Sequence, residues 1–180
     1  MKKPILVVSL VLLLCFAFGC QNKAEKAELE KFRAQAAVEA QNETLVRSVF
    51  DRLNKGDEAV YQQMYAPEYG WHFPANNPNA LTREQEAGFV KQLWAAFPDI
   101  RWEIVEMVAG GDTIVARFTN KGTHKGEYQG LVPTGNVWES GGVFMAHIKG
   151  GKIVEVREEA DVLGWMQQLG MELKPKEVKK

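Results

Sequence analysis

At Pro98 the hydrophobic period of the chain changes, and that change limits the folds open to it. Upstream, apolar residues recur every three or four positions: Leu45, Val46, Val49, Phe50 and Leu53, then Val90, Leu93, Trp94 and Phe97. That spacing draws one face of a helix. Downstream, Ile100, Trp102 and Ile104 alternate with charged residues, and alternation returns over residues 113–119, 137–148 and 153–157. Period two sends successive side chains to opposite faces of a strand. Helices followed by hairpin-linked strands specify an α+β domain, with N-terminal helices packed on one face of an antiparallel sheet. At 46% hydrophobic and 25% charged residues, the chain can supply the core such a layer needs.

Turn chemistry sets the boundaries. The run Asn54-Lys55-Gly56-Asp57 ends the first helix, and a second is expected from Asp57, with Val60, Met64 and Tyr65 inward, stopped by Pro67. Residues 69–73 read as extended and residues 74–81 (PANNPNAL) as a loop. Thr82 with Gln85 three residues on is a capping box. Gly110-Gly111-Asp112 and Lys149-Gly150-Gly151-Lys152 are hairpin turns. Asp161 opens a short apolar helix that Gly170 ends. The charged tail, residues 173–180, is expected to be loose.

The first twenty residues, MKKPILVVSLVLLLCFAFGC, have a different character. Lys2 and Lys3 precede an apolar run that is too short to cross a bilayer core of about 30 Å comfortably, so residues 1–19 read as a signal peptide. The small residues before Cys20 resemble the lipobox of bacterial lipoproteins. That resemblance implies lipidation of Cys20 and membrane attachment through the lipid, and Gln21 resembles the sorting pattern for an outer membrane facing the periplasm. Residues 20–41, rich in Ala, Glu and Lys, read as a helical spacer ahead of a domain at 42–172. Cleavage before Cys20 would leave no other thiol, because Cys15 departs with the signal peptide; cysteine nucleophiles, disulfides and thiolate zinc sites are thereby excluded. A formal net charge of -1 gives no footprint for nucleic acid. No phosphate-cradling glycine loop, HExxH or GxSxG is present.

Several clusters occur in a recognisable order: Phe97-Pro98-Asp99, Gly111-Asp112, Gly122-Thr123-His124-x-Gly126-Glu127, Pro133-Thr134-Gly135, Gly151-Lys152-Ile153-Val154-Glu155 and Gln168-Leu169-Gly170. Over residues 42–170 the chain resembles the SnoaL-like polyketide cyclases. The resemblance implies a cone-shaped curved sheet enclosing a pocket, and cofactor-free general base catalysis on a small, largely apolar, oxygenated molecule. Asp161 matches the position of the family's base, although as a residue it reads equally as an N-cap. His147, on the strand before the last turn, is the candidate to polarise the substrate carbonyl. His72, Trp94, Trp138 and Arg157 are candidate pocket residues, and Arg157 facing inward would pair with Asp161. Aromatic residues at strand and helix spacing are usually core, and the tryptophans read so too. His124, between glycines, reads as a solvated loop residue, and spacings of 52 and 23 between the three histidines match no metal motif. Two alternatives stay open: a binding module without turnover, and a homodimer formed through the sheet.

Overall fold

The computed structural model describes the backbone of residues 4–172 and of Lys174, with side chains from Lys23 onward apart from residue 173. The Cys20 side chain, those of the expected signal peptide, and most of the 173–180 tail lie outside what is described. Two compact units are resolved, Met1–Val38 and Glu39–Lys180. Helix α1 spans Pro4–Leu53, and its residues 23–38 are exposed throughout, Leu29, Phe32 and Val38 included. No helix of the described residues is long and apolar enough to cross a membrane.

In the second unit, α1 ends as its turn chemistry dictates, with Gly56 in the left-handed region at φ +69. The Asn54 side chain donates to the Trp102 carbonyl at 2.8 Å and accepts from the Trp102 amide at 2.9 Å, fastening the helix end to the sheet. α2 (Ala59–Met64) is shorter than expected, because Tyr65 opens strand β1 (Tyr65–His72). Pro67 therefore lies inside a strand. It is tolerated because β1 is an edge strand, where a missing N–H breaks no ladder. The capping box at Thr82 and Gln85 is fully formed and starts α3 (Arg83–Ala96). Then follow β2 (Arg101–Gly110), β3 (Thr113–Thr123), β4 (Val137–Lys149), β5 (Lys152–Ala160) and α4 (Val162–Gln168).

The strands form one curved sheet in the order β1-β5-β4-β3-β2. β2 to β5 are joined by antiparallel ladders, and β1 pairs parallel with β5, so the sheet is mixed. One face is covered by α1, α2 and α3, and its residues build the core: Ile114, Ala116 and Phe118 of β3, Phe144 and Ala146 of β4, and Val46 and Val49 of α1. A second cluster gathers Phe97, Tyr128, Trp138, Trp165 and Leu169 around α4. Within this unit no helix among the described residues packs on the other face, which exposes Val108, Val115 and Val143.

A candidate acid pocket

Strand parity decides what faces the core. Along β4, Phe144 and Ala146 line a pocket, while Val143, Met145 and His147 alternate to the open face. β5 carries a bulge: Ile148 pairs with Ile153 but His147 with Glu155, leaving Val154 as the extra residue. The bulge resets the alternation, so that Ile153, Val156, Glu158 and Ala160 line the pocket. Glu155, Arg157 and Glu159 take the other side.

The pocket has a volume of about 190 Å³. Cavities of about 150 Å³ hold benzene, so there is room here for one or two rings. Its walls are apolar and rich in rings, including Phe50, Trp71, Phe89, Phe118, Trp138 and Phe144. Among the described residues, no lysine, arginine or histidine lines it.

Three carboxylates do, Glu86, Glu158 and Asp161, and the first two lie deepest in protein. Glu86 comes from α3 and Glu158 from β5. Glu86 Oε2 accepts from the Tyr69 hydroxyl at 2.5 Å, and Glu158 Oε2 from the Trp71 indole N–H at 3.1 Å. Both residues keep partial solvent contact because they face the open pocket, yet protein surrounds their carboxyl groups and solvates the charge poorly. This desolvation pushes Glu86 up to about 8 against the pull of the Tyr69 bond, and a charge on Glu158 raises it further. Desolvation likewise pushes Glu158 up to about 7; the Trp71 bond pulls it down, and nearby Glu159 adds to the rise. Burial drives Tyr61, Tyr65 and Tyr69 well above the usual tyrosine range, so all three stay neutral.

Asp161 also lines the pocket and is the N-cap of α4, its Oδ1 accepting from the Gly164 amide at 2.8 Å. The N-cap read from the sequence is thus formed, and the same carboxylate faces the pocket. Trp138 lines the pocket as well, almost fully buried, with its ring 5.1 Å from that of Trp165. The indole N–H groups of Trp138 and Trp165, and the side-chain oxygen of Asn120, are buried without a partner among the described residues.

The other candidates lie elsewhere. His147 is on the open face, its Nδ1 3.1 Å from the Thr113 hydroxyl, and five ladder positions from Gly142, the partner of Ala160. At about 3.3 Å per residue it is far from hydrogen-bonding reach of Asp161. Arg157 shares that face. It donates to Glu155 at 2.5 Å and to the Ala75 carbonyl at 3.0 Å, so the pairing with Asp161 that an inward Arg157 would make does not form. His72, paired in register with Arg157, places Nδ1 2.7 Å from the Asn77 carbonyl. Trp94 packs between the two core clusters and does not line the pocket. His124 is fully buried, with Nδ1 3.1 Å from the Thr134 hydroxyl and its ring 5.4 Å from that of Phe97. Among the described residues, no three His, Cys, Asp or Glu side chains gather to hold a metal ion.

Glu86 and Glu158 went unread in the sequence. Glu86 sits three residues before Phe89 and four before Val90, the inward face of α3. That spacing was the available signal for Glu86. Glu158 could be placed inward only by knowing the bulge.

Comparison with known proteins agrees with this fold. The family description SnoaL-like polyketide cyclase matches residues 43–169. The chain belongs to the SnoaL-like polyketide cyclase family. It is 28% identical over 132 residues to the aklanonic acid methyl ester cyclase AcmA of Streptomyces galilaeus, covering 69% of this chain and 88% of that one. Wild-type IdmH from Streptomyces antibioticus is similar at 27% identity and a TM-score of 0.65, over 73% of this chain and 99% of its own. AclR from Streptomyces galilaeus shares the fold at 23% identity and a TM-score of 0.67, over 73% of this chain and 97% of its own.

Proposed function

We propose that the domain is a cofactor-free cyclase or isomerase that abstracts a proton next to a carbonyl in a small, largely apolar, oxygenated molecule. The observation that carries this is the placing of Glu86 and Glu158 in a ring-lined pocket that holds no cation. A carboxylate in water is too weak a base for such work, and one that has lost its hydration is stronger. Asp161, on the pocket wall at the position matching the family's base, belongs to the same acidic lining. The test is exchange of the acidic benzylic hydrogens of 2-tetralone, a two-ring ketone, for deuterium in heavy water. Catalysis predicts exchange well above a buffer blank and blocked by a competing two-ring ligand. Quenching of the pocket tryptophans without exchange would favour the second reading, a binding module.

In the same proposal the domain works at the cell envelope, exported and lipid-anchored through Cys20 on the outer membrane, facing the periplasm. Support comes from the basic and apolar start of the chain and from the exposed helical stretch of residues 23–38 that follows Cys20. Metabolic labelling with an alkyne-tagged fatty acid should mark the protein and fail on Cys20→Ser. Equal labelling of both would refute the anchor.

A further inference from the structure

We propose that Glu158 and Glu86 are an acid–base pair, Glu158 taking the proton from a substrate carbon and Glu86 giving one to the oxygen that becomes negative. The inference rests on the catalytic reading of the pocket and names the groups that act in it.

Three observations converge. The two carboxyl groups enter one cavity from different elements, α3 and β5, and each is near enough for the charge of Glu158 to act on Glu86. Each is fixed by a neutral donor, the Tyr69 hydroxyl or the Trp71 indole, so neither is tied up in an ion pair. Their surroundings raise both well above the ordinary carboxylate range, Glu158 to about 7 and Glu86 to about 8. Near neutrality the pair can therefore hold one proton between its two carboxyls, which is what proton abstraction at one atom and donation at another require.

The other titratable groups around the pair are Tyr61 from α2, Tyr65 and Tyr69 from β1, Tyr128 from the loop after β3, Asp161 at the start of α4, and Glu159 on the open side of β5. The tyrosines do not ionise in the working range: burial raises the first three well above the usual value and Tyr128 to about 12.

For a ring closure the balance is simple. Glu158 removes a proton from the carbon beside one carbonyl. The enolate carbon bonds to a second carbonyl carbon, whose π pair moves to its oxygen. Glu86 protonates that oxygen. The product is an isomer of the substrate, and one proton passing from Glu158 to Glu86 resets the pair, with no oxidant or metal in the balance. With no cation in the lining, the substrate class is an uncharged ketone or ester of one or two rings.

The experiment is 2-tetralone exchange by the full chain in detergent, compared across wild type, Glu158→Gln and Glu86→Gln, each checked for fold by near-ultraviolet circular dichroism. General acid–base steps are worth roughly 100-fold or more, so Glu158→Gln should lose about that much of kcat. Glu86→Gln should lose at least about tenfold and abolish the alkaline fall of kcat/KM. His147→Gln, on the open face, should retain wild-type rates. In wild type kcat/KM should rise through the Glu158 value of about 7 and fall beyond the Glu86 value of about 8. Where a glutamine variant does not fold, that wild-type profile decides: two limbs there support the pair, and a single limb in the ordinary carboxylate range overturns it. A loss larger in Asp161→Asn than in either glutamate variant overturns the pair and leaves the catalytic reading standing. Absence of exchange in wild type overturns both.

Discussion

The two faces of the sheet are made from the same strands and differ by one position in each. On the pocket face, Phe144, Val156 and Glu158 meet helices and one another; on the open face, Val143, Arg157 and His147 meet water and cross-strand partners. Composition does not separate them, since both carry valines and carboxylates. What differs is solvation. A carboxylate on the open face is hydrated or paired, as Glu155 is with Arg157, and a surface pair of this kind is worth little. A carboxylate on the pocket face loses its hydration, and it holds its proton to a higher pH.

The sharpest contrast is between neighbours. Phe144→Ala removes a buried ring and should cost about 3 kcal/mol in urea unfolding, whereas Val143→Ala, one residue away and 45% exposed, should stay within about 0.5 kcal/mol. Equal costs would mean that the open face is covered in solution.

Next in size is the effect of pH on stability. Glu86 and Glu158 have folded values raised above those of the unfolded chain, so the folded state binds more protons. Stability is then greatest below the unfolded carboxylate range and declines as pH rises towards the folded values of about 7 and 8. Thermal melts at about pH 5.5 and about pH 8.5 should show wild type weakening, and either glutamine variant should flatten the decline. Arg157→Gln, a change to a group that does not titrate, should leave the slope as it is. An unchanged slope in both glutamate variants would show that the pocket solvates their charges.

The smallest effect separates the two duties of Asp161. Asp161→Ala removes the cap on Gly164 and should cost about 1 kcal/mol, while Asp161→Asn keeps a capping oxygen and should cost only a few tenths. Exchange lost in Asp161→Asn without loss of stability would assign this carboxylate to the chemistry as well as to the helix.

Much of the architecture was legible because it is local. The capping box at Thr82, the Gly150-Gly151 turn with both residues in the left-handed region, and the change of period at Pro98 each depend on residues a few positions apart. Such signals survive in a bare sequence. The pairing of β1 with β5 does not, since Trp71 and Val156 are 85 positions apart and their parallel register needs the whole sheet to be assembled. Pro67 misled for the same reason: it stops a helix by itself, and only the edge position of β1 lets it sit in a strand.

The site followed the same division. Asp161 and Trp138 reach the pocket from positions that sequence reasoning singled out, while His147, His72 and Arg157 stand on the other side of the sheet. A chemistry-bearing residue can be recognised from its type; the side of a strand it faces cannot, once a single extra residue resets the count. The sequence alone determined that helices cover a sheet, where the hairpin turns at 110–112 and 149–152 fall, and which family the chain resembles, because these rest on local conformational preference and on motif order. Which carboxylates lose their water was decided only in the tertiary structure. Desolvation belongs to a group's three-dimensional surroundings: the Val154 bulge turned Glu158 inward, and α3 laid Glu86 into the same pocket.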